Sequence, residues 1–276
     1  TASSSSHDGS VWSADWDQVP VRAYAVDDLL RAYAARTAAE GVVQVGGSFT
    51  PDPSADELIK SSPNAFLIGV LFTQGISAER AWSGPYELSQ RLGGFDLERM
   101  AVDEDAVARA FREPPALHRF VKTVPRWVSS AARRIVETYA GDASHIWPEG
   151  AHVIDVTSRL LSFEGIGPKK AAMAAELLVR ALGVRLSGIQ SGTVAYDVHV
   201  RRVFLRSGLV DRDTPDAVRR AAARICPAEP GSLDLATWRI GREYCRPQGP
   251  RCDECPLGSG CPRMIERSVE GVGARR

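Results

Sequence analysis

The chain has 276 residues, 44% hydrophobic and 25% charged, with 24 Gly and 17 Pro; this is the composition of a globular protein large enough to bury a core. It excludes a collagenous, low-complexity or wholly disordered chain, and no apolar run approaches the ~20 residues that span a bilayer. The formal net charge is zero, yet residues 1–115 carry 9 basic against 17 acidic side chains and residues 116–276 carry 25 against 17. A basic half of this kind is the footprint of a polyanion binder, or else one of two solvated faces of opposite sign.

In chain order, residues 1–20 are Ser-rich and unpatterned, which predicts a mobile tail. Their start, TASSSSHDGS, lacks the basic-then-apolar pattern of a secretory signal. Asp27 is placed to cap a helix through DLLRAYAARTAAE that stops at Gly41. Residues 42–62, with Gly46-Gly47, Pro51 and Pro53, read as a loop. NAFLIGVLFTQ (64–74) is apolar on almost every side, as in a helix buried all round, with a buried strand as the alternative for its middle. Helices follow near 77–92, 103–112, 127–140 and 156–162. Pro168 opens another at a position that tolerates Pro, and Gly183 closes it. Those near 198–207, 215–225 and 233–244 complete the series. No alternating strand pair with a hairpin turn interrupts it, so the expected class is all-α.

Five Cys are too few for a secreted disulfide scaffold, and a soluble intracellular protein is expected. Four of them, Cys245, Cys252, Cys255 and Cys261, form a C-x6-C-x2-C-x5-C array within 17 residues. Turn-rich loops at Gly249-Pro250 and Gly258-Ser259-Gly260 close such short spans at little entropic cost. The candidates are a [4Fe–4S] cluster, structural zinc or two disulfides. Disulfides are disfavoured inside a cell, zinc sites more often pair two short knuckles, and thiolate-only ligation with unequal spacers suits a cubane cluster. Arg246 and Arg251 in the same loop are candidate phosphate contacts, with plain surface solvation as the alternative. Cys226 stands apart and reads as a structural thiol.

Residues 159–174, RLLSFEGIGPKKAAMA, predict a helix end, a turn at Gly165-Ile166-Gly167 and a new helix from Pro168. Backbone N–H groups exposed at that helix N-terminus, together with its dipole, make an anion site. Lys170 adds positive charge beside it. Tight helix–helix turns also use Gly for sterics alone, so the motif in isolation only suggests a phosphate.

FEGIGPKKAAM, then YDVHVRRVF at 196–204, then the cysteine array resemble the helix–hairpin–helix DNA glycosylase superfamily, and within it endonuclease III. That pattern runs L-P-G-V-G-x-K-T-A, then V-D-T-H-V, then the same cysteine spacing. NAFLIGVLFTQGIS is similar to the family's buried helix ending in S-A-Q-A-T-D, so the resemblance covers about residues 62–263. It implies that Lys169 attacks the sugar carbon of a damaged nucleotide and that Asp197 assists departure of the base. It also implies that Cys245, Cys252, Cys255 and Cys261 hold a [4Fe–4S] cluster, and that Gln74 reaches toward the extruded base. The implied architecture is a six-helix domain (60–182) carrying the hairpin and a cluster domain built from 21–59 plus 183–265, with residues 266–276 as a mobile tail. The implied partner is double-stranded DNA containing a damaged base, bound by a monomer away from membranes, in the bacterial nucleoid or wherever the cell keeps its DNA.

The residue types suit the chemistry. A neutral amine at C1′ displaces the base and leaves an imine that permits β-elimination of the strand, a carboxylate nearby stabilises the cationic sugar, and the nucleotide first leaves the stack. A lysine at 169 implies a bifunctional glycosylase with lyase activity, since adenine-removing relatives carry a small hydroxyl residue there and thymine-mismatch relatives a tyrosine. The departures fall in substrate-reading regions. Glu164 replaces the hairpin Pro, Gly75-Ile76-Ser77 replaces A-T-D, and Tyr196 and Val198 flank Asp197. TVPRWVSS (123–130) replaces the loop that wedges into the duplex, leaving Arg126 or Trp127 to fill the gap, with a core role open to Trp127. Oxidised pyrimidines are the implied default; an alkylated or cross-linked base is the second option, and a non-catalytic DNA-binding module or an electron-transfer protein are readings from other classes.

Overall fold

The computed structural model describes residues 25–39 and 48–266. The tails expected at 1–20 and beyond 266 lie outside the described residues. Twelve α-helices make up the described fold, with no strand pairing beyond one isolated bridge between His152 and Ser187. The all-α class expected from the sequence stands. No described helix is long and apolar enough to cross a membrane.

Helix α1 (Val26–Ala39) carries Asp27 and Asp28 in its first turn, where the helix dipole favours acids, so Asp27 lies just inside the helix it was expected to cap. The stretch read as a loop contains α2 (Pro53–Ser61). Asp52 caps α2 by accepting from the Ser54 and Ala55 N–H groups, Pro53 occupies the first turn where it costs no hydrogen bond, and Ala55 and Ile59, one turn apart, are buried. Pro53, read as a breaker, is a starter. In α3 (Pro63–Phe72) every residue from Ala65 to Phe72 is buried, which settles helix over strand. Then come α4 (Ala78–Leu92), the short α5 (Leu97–Val102), α6 (Glu104–Arg112), α7 (Thr123–Thr138) and α8 (Val153–Leu161). Helices α9 (Pro168–Arg180), α10 (Val198–Arg206), α11 (Pro215–Ile225) and α12 (Leu233–Arg239) follow, the last continued by a π-helical turn over Ile240–Tyr244. Helix α5 was missed because six residues give too short a window for periodicity.

Two hydrophobic cores result. The larger surrounds α3 and gathers Phe49, Phe66, Phe72, Trp82 and Trp147 with apolar residues of α2 to α9. Phe66 stacks on Trp82 with ring centroids 5.6 Å apart, and Phe49 meets Trp82 edge-on at 4.8 Å. Phe49 and Ile59 thus lie on the far side of the domain boundary drawn at residue 60. The smaller core is built by α1, α10, α11 and α12, and Cys245, Cys255 and Cys261 pack against it. Helix α9 ends the first group and α10 begins the second, so the functional residues on these two helices face each other across the seam.

Candidate active site and cysteine cluster

The hairpin forms as its glycines dictate. Helix α8 ends at Leu161, Ile166 N–H bonds to the Phe163 carbonyl (3.1 Å), and Ile166 is buried as the hairpin's anchor. Gly165 sits at φ +87°, a left-handed conformation costly for any side chain, and a Cβ there would collide with the Trp127 ring. Gly167 is the N-cap of α9, and no side chain caps that end. A Cβ on Gly167 would meet nothing within 4 Å. The first turn of α9 therefore offers its backbone N–H groups to solvent, the arrangement that receives a phosphate. Glu164, whose charge is unwelcome beside an anion, is held by Arg126 at 2.6 Å.

Lys169 and Asp197 come together from opposite sides of the seam. Lys169 Nζ stands 3.3 Å from Asp197 Oδ2, with the lysine side chain 51% exposed and the aspartate 7%. Asp197 is also the N-cap of α10, accepting through Oδ1 from His199 N–H (2.8 Å) and Val200 N–H (2.9 Å). Its capping role fixes one oxygen and leaves Oδ2 for the lysine, so the structural and chemical roles coexist.

Lys170 departs from expectation. As the next residue along α9 it points about 100° away from Lys169, into the protein. It is 6% exposed, its Nζ donates to the Leu71 carbonyl at the end of α3 (3.0 Å) and lies over the Trp127 ring at 5.2 Å. Burial, with the Lys169 charge adding to it, pushes its ammonium down to about 8. Lys170 is a buried strut between α9, α3 and α7, and is not placed to touch a phosphate. Trp127, half-buried beneath Gly165 and Lys170, cannot wedge into a duplex either. Gln74 is exposed on the turn after α3 and lies outside the cavity wall, which takes Thr73, Gly75 and Ile76 from that turn.

Two residues passed over in the sequence stand at that turn. Phe120 is an exposed aromatic whose ring packs on Gly75, and Arg119 lies over it at 5.0 Å. Phe120 is held by His118, which is fully buried, bonds through Nε2 to the Phe72 carbonyl (3.1 Å) and accepts the Phe120 N–H at Nδ1 (3.0 Å). Burial lowers the His118 pKa, with the Lys170 charge acting in the same direction. No motif marks Phe120 or Arg119 in the sequence; only the fold shows the exposed ring beside its buried anchor.

Lys169 and Asp197 open onto a cavity of about 440 Å³ between the two cores, with walls from α1, α9, α10 and α12. At its mouth Arg242 lies over Trp238 (5.1 Å) and reaches across to Glu79 (2.6 Å). Two further carboxyls line it. Asp234 is buried, accepts the Ala195 N–H (2.6 Å), and burial drives its pKa up to about 8. Glu176 is pushed up to about 7 by burial, with Glu229 adding to the shift and Arg180 opposing it.

The four loop cysteines are unpaired and half-buried, and their charges act on one another. Burial raises the Cys255 thiol to about 11, and like-charge repulsion from Cys245, Cys261 and Cys252 adds to it. Among the described residues no group of three or more His, Cys, Asp and Glu side chains has the geometry of a metal-ion site. The loop is tied to α10 by two buried arginines. Arg202 donates to the carbonyls of Cys245 (2.6 Å) and Gly241 (2.7 Å), and Arg206 to those of Arg246 (2.7 Å) and Pro247 (3.2 Å). Arg246 and Arg251 are exposed; Arg246 Nε bonds to the Glu243 carbonyl (3.1 Å), and Arg251 is paired with Glu254 (2.8 Å). Cys226 is half-buried at the end of α11, 3.5 Å from Ser232 Oγ.

No family model matches the chain. Among solved structures it is similar to a trapped endonuclease III–DNA covalent intermediate, with a TM-score of 0.60 at 20% identity over 87% of this chain and 98% of that one. It is equally similar to a thermostable thymine-DNA glycosylase, with a TM-score of 0.60 at 13% identity over 87% and 98%. Endonuclease III of Bacillus subtilis is 29% identical over 227 residues, 79% of this chain and 90% of that protein. Endonuclease III of Thermotoga maritima is 32% identical over 182 residues, 63% of this chain and 78% of the relative. With that relative matched over most of its length, and with Lys169 and Asp197 at one cavity, the chain belongs to the endonuclease III family of helix–hairpin–helix DNA glycosylases, enzymes of base-excision repair.

Proposed function

We propose that this glycosylase is bifunctional: it extrudes a damaged base from duplex DNA, releases it through Lys169 and then cleaves the strand as an AP lyase. The observation that carries this reading is the 3.3 Å approach of Lys169 Nζ to a largely buried Asp197 oxygen at the mouth of a cavity with room for an extruded base. The lone pair of the neutral amine forms the bond to C1′. The glycosidic bond breaks, its electron pair leaves with the base, and the base takes up a proton. Asp197, with its carboxylate fixed as a helix cap, faces the positive charge that develops on the sugar. Opening of the sugar gives an imine; loss of a C2′ proton then expels the 3′ phosphate. The uncapped start of α9 at Gly167 holds a backbone phosphate, while Arg119 and Phe120 at the rim fill the place of the extruded nucleotide. Oxidised or ring-saturated pyrimidines are the proposed substrates.

Cys245, Cys252, Cys255 and Cys261 are the proposed ligands of a [4Fe–4S] cluster. The donor set supports this: burial and like-charge repulsion raise the thiols of Cys245, Cys255 and Cys261, a cost that ligation relieves. Bound there, the cluster supplies cross-links that fix the loop. Its presence is checked by visible absorption and by iron and sulfide content of the purified protein.

Borohydride trapping tests the reading, on duplexes holding either an oxidised pyrimidine or an abasic site. Wild type is expected to form a covalent adduct on both, and Lys169→Ala on neither. Trapping at the abasic site alone would keep the lysine chemistry and overturn the substrate class. No adduct on either duplex would sink the lyase assignment.

A further inference from the structure

The cavity is longer than its chemistry at the mouth requires. Along α9 its wall is one stripe, Lys169, Met173, Glu176, Leu177 and Arg180. From Lys169 to Arg180 that stripe rises about 16 Å at ~1.5 Å per residue, well past the far edge of a single pyrimidine ring. Helix α12 forms the opposite wall and runs the other way. Its Arg242 end meets Glu79 at the mouth, and the turn before it places Gly231 against Glu176 and Glu229 against Arg180 at the far end. The cavity is therefore a trough between two antiparallel helices. Its sides are mainly apolar, Met173, Leu177, Leu235 and Trp238 among them. A carboxyl group stands deep within it.

We propose that the trough accepts bases extended at the edge away from the glycosidic bond, and that Glu176 receives a hydrogen-bond-donating or cationic end of the extension. This rests on Lys169 being the nucleophile at the mouth, since that fixes where the sugar sits and which way the base points. Glu176 is suited to the part. Gly231 leaves room for its carboxyl, because any Cβ at 231 would overlap an Oε atom. Its direct partner is Arg180, at 3.7 Å, longer than a hydrogen bond, and that arginine is already committed to Glu229. The other charged groups acting at this end are Glu229 and, from farther along the trough, Asp234. Burial raises the Glu176 pKa to about 7, and an ammonium arriving beside it favours the ionised carboxylate.

The test measures single-turnover excision by the wild-type protein from duplexes containing 5,6-dihydrouracil, the same base with a C5 propyl chain, or the same base with a C5 3-aminopropyl chain. Aminopropyl-dihydrouracil is expected to be excised within about threefold of dihydrouracil, and the propyl analogue about tenfold more slowly. Glu176→Leu should lower the aminopropyl-to-propyl ratio by about tenfold, and Glu176→Gln, which keeps the shape, by a smaller factor. Dihydrouracil excised while both chain-bearing bases are lost by more than about a hundredfold would overturn the extended trough and leave the glycosylase reading intact. An unchanged ratio in both variants would overturn the assignment of Glu176. Excision of none of the three, with trapping at an abasic site preserved, would overturn this inference together with the pyrimidine substrate class.

Discussion

The two cores of this glycosylase are held together in different ways. The larger is an aromatic cluster around a helix buried on every side, with Phe49, Phe66, Phe72, Phe111 and Trp82 at 0–3% exposure. The smaller buries four arginines, Arg201, Arg202, Arg206 and Arg239, among Val, Leu and Ala side chains. Several of their nitrogens, Arg201 Nε, Arg206 Nε and an Arg239 Nη atom, have no partner. Apolar burial stabilises the first core locally. In the second, Arg201 pairs with Asp213, but Arg202 and Arg206 repay their desolvation only when the cysteine loop presents its carbonyls to them, so folding there is conditional on the loop being fixed. The proposed catalytic pair straddles the seam, Lys169 from the self-sufficient part and Asp197 from the conditional one. Losing the loop should therefore remove activity without unfolding the larger core.

The sharpest way to break that contrast is to remove its centre on each side. Phe66→Ala deletes a ring in contact with Trp82 and Trp147 and is expected to cost about 3–5 kcal/mol of stability. It should lower the melting temperature of the larger core in a calorimetric scan while the iron of the proposed cluster stays at the wild-type content per folded molecule. Arg202→Met removes hydrogen bonds to the Val198, Cys245 and Gly241 carbonyls and takes the donor away from the Cys245 carbonyl, a cost of about 1–3 kcal/mol. Here the expected signature is reversed, with iron and visible absorption lost first and the tryptophan signal of the larger core retained. Equal loss of both signals in both variants would show a single cooperative unit and remove the contrast.

What the sequence disclosed follows the same division. Residues carried by motifs at fixed spacing, Lys169 after the paired glycines, Asp197 before α10 and the four cysteines, were singled out through the family resemblance, and the structure brings Lys169 and Asp197 within 3.3 Å. Residues whose fate depends on a distant neighbour were not legible. Nothing local says that Lys170 will reach the Leu71 carbonyl, or that Trp127 will lie under Gly165; both depend on how α7 and α3 pack against α9. Helix α2 was hidden because Pro51 and Pro53 read as breakers until Asp52 is seen to cap from between them. Phe120 carries no motif at all, and only the buried His118 beside it makes its exposure deliberate.

Phe120 gives a smaller effect, read on DNA rather than on stability. Phe120→Ala is expected to slow excision from a fully paired duplex about tenfold. It should have little effect when the damaged base already lies in an unpaired bulge, where no neighbour needs its stack replaced. Equal slowing on both substrates would mean that the aromatic ring merely supports the Gly75 turn.

The mildest change is Asp234→Asn, and it bears on the seam itself. Asp234 holds the Ala195 N–H, just before the Asp197 cap, and burial raises its pKa to about 8 from an unfolded value near 3.8. The folded state therefore binds this proton more tightly than the unfolded chain does. Its contribution is fully present below pH ~4 and is lost progressively as the pH rises from there to about 8, because ionisation is favoured in the unfolded chain. Asparagine keeps an oxygen for Ala195 and cannot ionise. Its melting temperature should fall less steeply than that of wild type between pH 5 and 8, with the two curves closest at the acid end. Parallel curves would mean that Asp234 is ionised in the folded protein, adding a second negative charge beside Lys169 and Asp197 and holding the seam by attraction rather than by a neutral hydrogen bond.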